Sequence, residues 1–164
     1  MTELTIDRPI TGDINRRDST TTPQEGPTEF LAAIDAVLDI PSVESIIWDQ
    51  YTPYFNDGEP CEFRVGEVRV RFEGTSEKDE DNSDYGDGGF TPWQMSYYRG
   101  QKPGHYGYDS LSPAVLALTD EEVDAVTVAL AFERFETVLA TNFGDPARVT
   151  ATREGFNVEY YEHD

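Results

Sequence analysis

The side chains that could form a nucleophilic centre are few in this sequence and far apart. A catalytic thiol or hydroxyl needs a neighbouring base and a third group that orients that base. The chain has one cysteine, Cys61, and two histidines, His105 and His163, of which the second stands next to the final residue. Lone cysteines and histidines are more often structural than catalytic. We therefore expect no catalytic residues and no enzyme activity, and a small enzyme with an unrecognised site is the alternative.

An acidic run that contains glycine superficially resembles a calcium-binding loop. Counted from Asp81, Gly86 occupies the sixth position, where such loops need glycine for a sharp turn. Tyr85 occupies a ligand position, however, and Pro92 stands where a bidentate glutamate is required. We therefore expect an exposed acidic surface with no metal site, and no cofactor elsewhere in the chain. The carboxylates of this acidic surface are those of Asp79, Glu80, Asp81, Asp84 and Asp87.

The most distinctive stretch of the chain begins at Trp48 and ends at Phe63, and it mixes aromatic residues with Pro, Asn, Asp and Gly. Aromatic side chains supply binding area and polar loop tips supply orientation, so this composition is typical of a recognition loop. An aromatic cluster that braces the loop is the alternative interpretation. The residues predicted to contact a partner are Trp48, Tyr51, Tyr54, Phe55, Asn56 and Asp57.

The order of residues in this stretch resembles a known pattern. After a predicted short helix, the chain reads Trp-Asp-Gln-Tyr-Thr-Pro-Tyr-Phe-Asn-Asp-Gly-Glu-Pro-Cys from Trp48 onward. It is similar to a segment of small uncharacterised proteins of tailed phages and some bacteria. The resemblance implies a protein of phage type, and it carries no catalytic or binding role over to any residue of this chain.

The net charge restricts the class of partner. The chain has 33 acidic and 12 basic residues, which gives a formal net charge of −21. A field of this sign repels nucleic-acid phosphates and anionic membranes. We therefore expect a protein partner, either a viral subunit or a basic host protein, and no direct binding to nucleic acid or membrane. As an alternative, the carboxylates would imitate the phosphates of duplex DNA and inhibit a host nucleic-acid-binding protein.

Hydrophobic periodicity predicts two helices that would support these loops. Pro27 is suited to a first helical position, and the apolar spacing that follows predicts a short amphipathic helix ending before Pro41. Thr119 and Glu122 form a capping-box signature ahead of a wide apolar stripe. The second helix should therefore run from about Thr119 to Thr141, with Leu130 and Phe135 in the core.

Alternating apolar residues predict the strands. A strand is expected over Val43–Tyr51, and another over residues 94–99. Gly66-Glu67 and Glu154-Gly155 each interrupt an alternating run and are predicted as hairpin tips. Arg64, Arg69 and Arg71 would point outward from the first hairpin, where they would pair with carboxylates or form an anion-binding patch.

These elements predict an α+β fold, in which an antiparallel sheet built from hairpins carries one long and one short helix on one face. Residues 1–26 show no sustained period and are expected to form a flexible or extended arm, and residues 27–164 a single domain. The chain has neither a basic-then-apolar N-terminus nor an apolar run of about 18 residues, so the expected location is the host cytoplasm or the virion. The predicted function is that of a non-enzymatic, acidic interaction protein of phage type.

Overall fold

A computed structural model describes residues 6–12, 14, 24–52, 63–73 and 89–160 of the protein. The strands are β1 (Ile10–Gly12), β2 (Val43–Tyr51), β3 (Arg64–Val65), β4 (Arg69–Phe72), β5 (Ala147–Thr152) and β6 (Gly155–Glu159). The α-helices are α1 (Pro27–Leu38), α2 (Pro92–Arg99), α3 (Tyr106–Ser110), α4 (Pro113–Leu116), α5 (Asp120–Ala129) and α6 (Glu136–Phe143), and a 3-10 helix spans Phe132–Phe135.

All the described strands belong to one sheet, which is mostly antiparallel. β2 is central, with β5 on one side and β3 and β4 on the other, all antiparallel to it. β6 continues the sheet beyond β5, and β1 forms the edge. The mixed helix-and-sheet class is as predicted, but hairpins alone do not build the sheet, because β1 lies parallel to β6.

The predicted hairpin tip at Gly66-Glu67 is wrong, because β3 and β4 are two parts of one interrupted strand beside β2. Val65 pairs with Gln50, and Arg69 pairs with Ile47, so the chain keeps its direction through this region. The Gly66 amide still donates to the Asp49 carbonyl at 2.7 Å. The two residues 67 and 68 then face the single residue 48, which is the definition of a β-bulge.

The second predicted hairpin is present, with its tip one residue earlier than expected. Thr152 pairs with Gly155, so the two-residue loop consists of Arg153 and Glu154. Gly155 is the first residue of β6 and has a φ of +144°. A Cβ there would lie 2.6 Å from the Pro9 carbonyl oxygen, so a residue without a side chain is needed where the N-terminal segment crosses.

The described residues of the N-terminal segment contact the sheet and α1. Ile6 is buried in the main hydrophobic cluster, and β1 extends the sheet. Arg8 donates to both carboxylate oxygens of Asp35 in α1, at 2.8 and 3.1 Å, and this hydrogen bonding raises the pKa of Arg8 above its ordinary value. The arm prediction for residues 1–5, 13 and 15–23 lies outside the described residues.

The predicted long helix is broken into three pieces. Its start is confirmed: Thr119 and Glu122 form both hydrogen bonds of a capping box, at 2.9 and 3.0 Å. The helix ends at Ala129, however, and the chain turns at Leu130 and Ala131 into the 3-10 helix and α6. Leu130 and Phe135 are both buried, as predicted. The described residues therefore contain more and shorter helices than the two that were predicted.

The prediction of a strand over residues 94–99 is also wrong, since these residues belong to α2. The side chain of Thr91 accepts from the Gln94 amide at 3.1 Å, and the side chain of Gln94 accepts from the Thr91 amide at 2.9 Å. Pro92 occupies the first turn. This capping box and N-terminal proline outweigh the strand preference of the tyrosines that follow.

A set of packed rings, the inner aromatic cluster, forms the centre of the core between the sheet and the helices. Its members are Phe30, Trp48, Phe132, Phe135, Phe143 and Phe156. Phe30 on α1 contacts every other member, with ring centroids 5.4 to 6.3 Å apart. Phe30 meets Phe156 in a stacked arrangement and the other rings edge-to-face, and both arrangements add to the burial energy of the rings.

A buried amide connects this cluster to the end of α6. Gln50 is fully buried, and its Oε1 accepts from Trp48 Nε1 at 2.9 Å. Its Nε2 donates to the carbonyls of Leu139 and Gly144, at 2.9 and 2.7 Å. Both carbonyls lie near the C-terminal end of α6, so the buried Gln50 side chain ties β2 to this end of the helix.

Candidate partner-binding surface

Most residues predicted to contact a partner lie outside the described residues. This holds for Tyr54, Phe55, Asn56 and Asp57, and equally for the acidic residues Asp79, Glu80, Asp81, Asp84 and Asp87. Tyr51 is described and is half-buried at the end of β2. Trp48 was wrongly assigned to a contact surface, since its side chain is 1% exposed and belongs to the inner aromatic cluster.

Of the residues considered for nucleophilic chemistry, the described part of the chain includes His105. Cys61 and His163 lie outside it. His105 caps α3: its Nδ1 accepts a hydrogen bond from the Gly107 amide at 3.0 Å. The imidazole also stacks on Tyr106, with centroids 4.6 Å apart. These contacts give His105 a structural role at the start of a short helix.

The arginines predicted to point outward from β3 and β4 have different environments. The guanidinium of Arg69 lies 3.7 Å from the Glu67 carboxylate, which is the internal pairing that the sequence suggested. Arg64 is exposed. On the neighbouring strands, Arg148 donates to both carboxylate oxygens of Asp49, at 2.7 and 3.3 Å. Part of the positive charge on the sheet is therefore already paired with carboxylates of the same sheet.

A second set of aromatic side chains lies on α2 and α3, three of them exposed and Tyr98 half-buried, and we call it the outer aromatic surface. It consists of Trp93, Tyr97, Tyr98 and Tyr106. Trp93 stacks on Tyr97 with centroids 5.0 Å apart, and Tyr98 makes T-shaped contacts with Trp93 and Tyr106, with centroids 5.7 and 5.9 Å apart. Trp93 is 62% exposed and Tyr106 is 74% exposed.

Local structure holds these rings in place. One turn of helix separates Trp93 from Tyr97, so their rings lie on the same side of α2. Tyr98 lies against the backbone of Gly107, where a Cβ would come within 2.3 Å of its ring. The end of α2 is tied to the start of α5, since Arg99 donates to the Leu118 carbonyl and lies 3.3 Å from the Asp120 carboxylate. These contacts with neighbouring segments hold in place the two helices that present the outer aromatic surface.

A groove of about 830 Å³ opens beside the outer aromatic surface. One wall is the bulged strand from Phe63 to Val68, the second is the start of α2 with Trp93 and Tyr98, and the third runs from Leu130 to Glu136. Its volume is within the range of about 300–1,000 Å³ that ligand-binding sites occupy. Phe63, the last residue of the stretch predicted as a recognition loop, lines the groove.

The groove combines aromatic faces with carboxylates. Glu67 lines it from the bulge, and Glu133 and Glu136 line it from the 3-10 helix and α6. Among the described lining residues, Arg64 carries the one opposing charge. Aromatic faces and carboxylates are groups that bind ligands by stacking, hydrogen bonding and charge.

One sequence pattern predicts the position of the outer aromatic surface, although the alternation of apolar residues in the same segment suggested a strand. A helix-start signature is formed by Thr91, Pro92 and Gln94. A helix that begins there places Trp93 and Tyr97 one turn apart on the same side. The groove has no such signal. Its walls come from three segments that are distant in the sequence, and their contact depends on the bulge and on the break after α5.

The described residues contain no group of three or more His, Cys, Asp or Glu side chains placed to hold a metal ion. None of the helices in the described part of the chain is both long and apolar enough to cross a membrane. No protein-family model, curated protein or solved structure matches this chain.

Proposed function

We propose that this chain is a non-enzymatic binding protein of phage type, which recognises a protein partner through its outer aromatic surface. The observation that carries this proposal is the contiguous exposure of Trp93, Tyr97 and Tyr106 beside a groove. Single exposed apolar side chains are common on any protein, but contiguous patches mark contact sites.

The residue types of the patch also support binding. Trp and Tyr are enriched among the residues that dominate interface energies, because each offers a large rigid face together with a polar atom. Val128 and Tyr160 are exposed to a similar degree, at 65% and 61%, but no described ring contact joins either of them to another aromatic side chain. They provide matched controls for the loss of one exposed side chain.

The net charge of −21 indicates the chemistry of the partner. A strongly negative protein attracts basic proteins over a distance and repels acidic ones. Two partner classes fit this field, a viral subunit and a basic host protein. A DNA-mimicking inhibitor is the second candidate, and the net charge is the observation that favours it.

Affinity capture with variants tests the proposal. The tagged protein is used to capture partners from expressing or infected cells, and captured proteins are identified and then titrated against the purified protein. We expect Trp93→Ala and Tyr106→Ala each to weaken binding at least about tenfold, which corresponds to about 1.4 kcal/mol. Val128→Ala and Tyr160→Ala should bind like the wild type.

The salt dependence of the same titration separates the two candidates. If recognition is mainly through the outer aromatic surface, raising salt from about 0.05 to 0.5 M should weaken binding by no more than about tenfold, because salt screens the attraction of a basic partner but not the burial of the rings. A DNA mimic should lose affinity by orders of magnitude over this range, with no dependence on Trp93. Binding that is insensitive to both ring substitutions refutes the proposed surface.

A further inference from the structure

We propose that the groove beside the outer aromatic surface binds an extended, arginine-bearing segment of the partner protein. This inference rests on the proposed function, and it adds the chemistry of the segment that is recognised. The occupant is inferred from the charge of the groove, from the rings at its edge and from its size.

The charges that line the groove favour a cation. Glu67, Glu133 and Glu136 supply three carboxylates, against the one guanidinium of Arg64 among the described lining residues. The Glu67 carboxylate is paired with Arg69 at 3.7 Å, so the carboxylates of Glu133 and Glu136, which still outnumber Arg64 in the lining, supply the excess negative charge. A phosphate or carboxylate ligand would meet net repulsion here and throughout the surrounding field of the protein.

The rings at the edge of the groove favour a guanidinium over an ammonium. Trp93 and Tyr98 both line the groove, and Trp93 offers the most favourable ring for a cation. A guanidinium can stack flat on such a ring and still donate two parallel hydrogen bonds to a carboxylate, whereas an ammonium is a strongly hydrated point charge.

The same pairing of arginine with a ring and a carboxylate occurs elsewhere in this molecule. The Arg134 guanidinium carbon lies 4.5 Å from the centroid of the Phe135 ring, and its Nε lies 2.7 Å from the Glu25 carboxylate. In the groove the ring and the carboxylates are present, and the arginine would come from the partner.

The volume of the groove indicates a segment of chain rather than a single side chain. At about 830 Å³ it is near the upper end of the range for ligand-binding sites, about 300–1,000 Å³. Aromatic-lined grooves are known to bind extended peptide segments, as in the recognition of polyproline-II peptides. An extended segment can place one arginine among the carboxylates and its neighbours on Trp93 and Tyr98.

Calorimetric titration with defined peptides tests this inference on the full chain. The probe is an acetylated and amidated heptapeptide with two arginines among glycines and serines. The matched probe has citrulline, the neutral isostere, in place of each arginine. We expect the arginine peptide to bind at least about tenfold more tightly than the citrulline peptide, and more tightly than a lysine peptide.

Matched charge removals separate the groove from the general field of an acidic protein. Glu133→Gln removes one carboxylate from the groove, and Glu154→Gln removes one from the exposed β5–β6 turn. We expect Glu133→Gln to weaken binding of the arginine peptide at least about fivefold and Glu154→Gln to change its affinity little. Trp93→Ala should weaken binding of the same peptide about tenfold. Equal effects of the two glutamate variants would show non-specific attraction and overturn the inference.

The outcome for the captured partner distinguishes this inference from the proposed function. If Trp93→Ala weakens partner binding and Glu133→Gln does not, the outer aromatic surface is the contact site and the arginine segment is wrong. If a neutral oligosaccharide such as cellohexaose binds in a Trp93-dependent manner and the arginine peptide does not, the groove is a carbohydrate site and the inference is again overturned. Partner binding that is insensitive to Trp93 and Tyr106 refutes the proposed function itself.

Discussion

The inner aromatic cluster and the outer aromatic surface are built from similar side chains in opposite environments. The inner cluster has five phenylalanines and Trp48, and the outer surface has three tyrosines and Trp93. Trp48 is 1% exposed and donates to Gln50, whereas Trp93 is 62% exposed. Phenylalanine has no polar atom, whereas a buried tyrosine or tryptophan needs a hydrogen-bond partner. The comparison shows that aromatic content alone does not separate core from contact surface in this chain.

The largest expected effect comes from removing the ring at the centre of the inner cluster. Phe30→Ala should lower the free energy of unfolding by about 3–5 kcal/mol, because it removes buried area and leaves a cavity among five other rings. Urea denaturation followed by circular dichroism measures this loss. A change below about 1 kcal/mol would contradict the assignment of Phe30 to the core.

A smaller loss is expected from the buried amide that allows a tryptophan inside the cluster. Gln50→Leu leaves the Trp48 indole N–H and the carbonyls of Leu139 and Gly144 without this partner. We expect a loss of about 2–3 kcal/mol by urea denaturation, because buried unpaired polar groups are costly.

A double-mutant cycle sharpens this second prediction. Trp48→Phe removes the indole N–H, so the Gln50→Leu and Trp48→Phe costs should not add. An additive pair would show that the hydrogen bond between the two side chains contributes no stability.

The next prediction disturbs the outer surface through its support. Gly107→Ala places a methyl group 2.3 Å from the Tyr98 ring, so that ring must move away from Trp93 and Tyr106. We expect weaker partner binding and a loss of stability of about 1–2 kcal/mol, because the added methyl group overpacks a buried position against Tyr98. Binding and denaturation are measured on the same preparation. Unchanged binding would show that the arrangement of Tyr98 does not matter for recognition.

The smallest effect on stability is expected at the exposed rings themselves. Trp93→Ala and Tyr106→Ala should each change the free energy of unfolding by less than about 0.5 kcal/mol, because neither ring is in the core. The same substitutions should have the large effects on binding described above. A loss of stability as large as that of Phe30→Ala would show that these rings belong to the core, and it would contradict the distinction between the inner aromatic cluster and the outer aromatic surface.

The predictions made from local patterns were confirmed where the pattern itself contains the physical cause. Pro27 begins α1, and the capping box of Thr119 and Glu122 begins α5, because these side chains act on backbone groups within one turn. The strand over Val43–Tyr51 is observed with the bounds expected from its apolar run. These features need no information from the rest of the chain.

The sequence by itself therefore determined the class of the fold, the start of two helices, the central strand and the sign of the electric field. Only the tertiary structure decided that Gly66 and Glu67 form a bulge, because the chain keeps pairing with β2 on both sides of them. The break after Ala129 is decided in the same way, since Phe132 must leave the line of α5 to pack on Phe30 and Trp48. The groove forms where the bulge, the start of α2 and the turn after α5 come together. These segments are distant in the sequence, so the spacing of residues within each segment does not predict their contact.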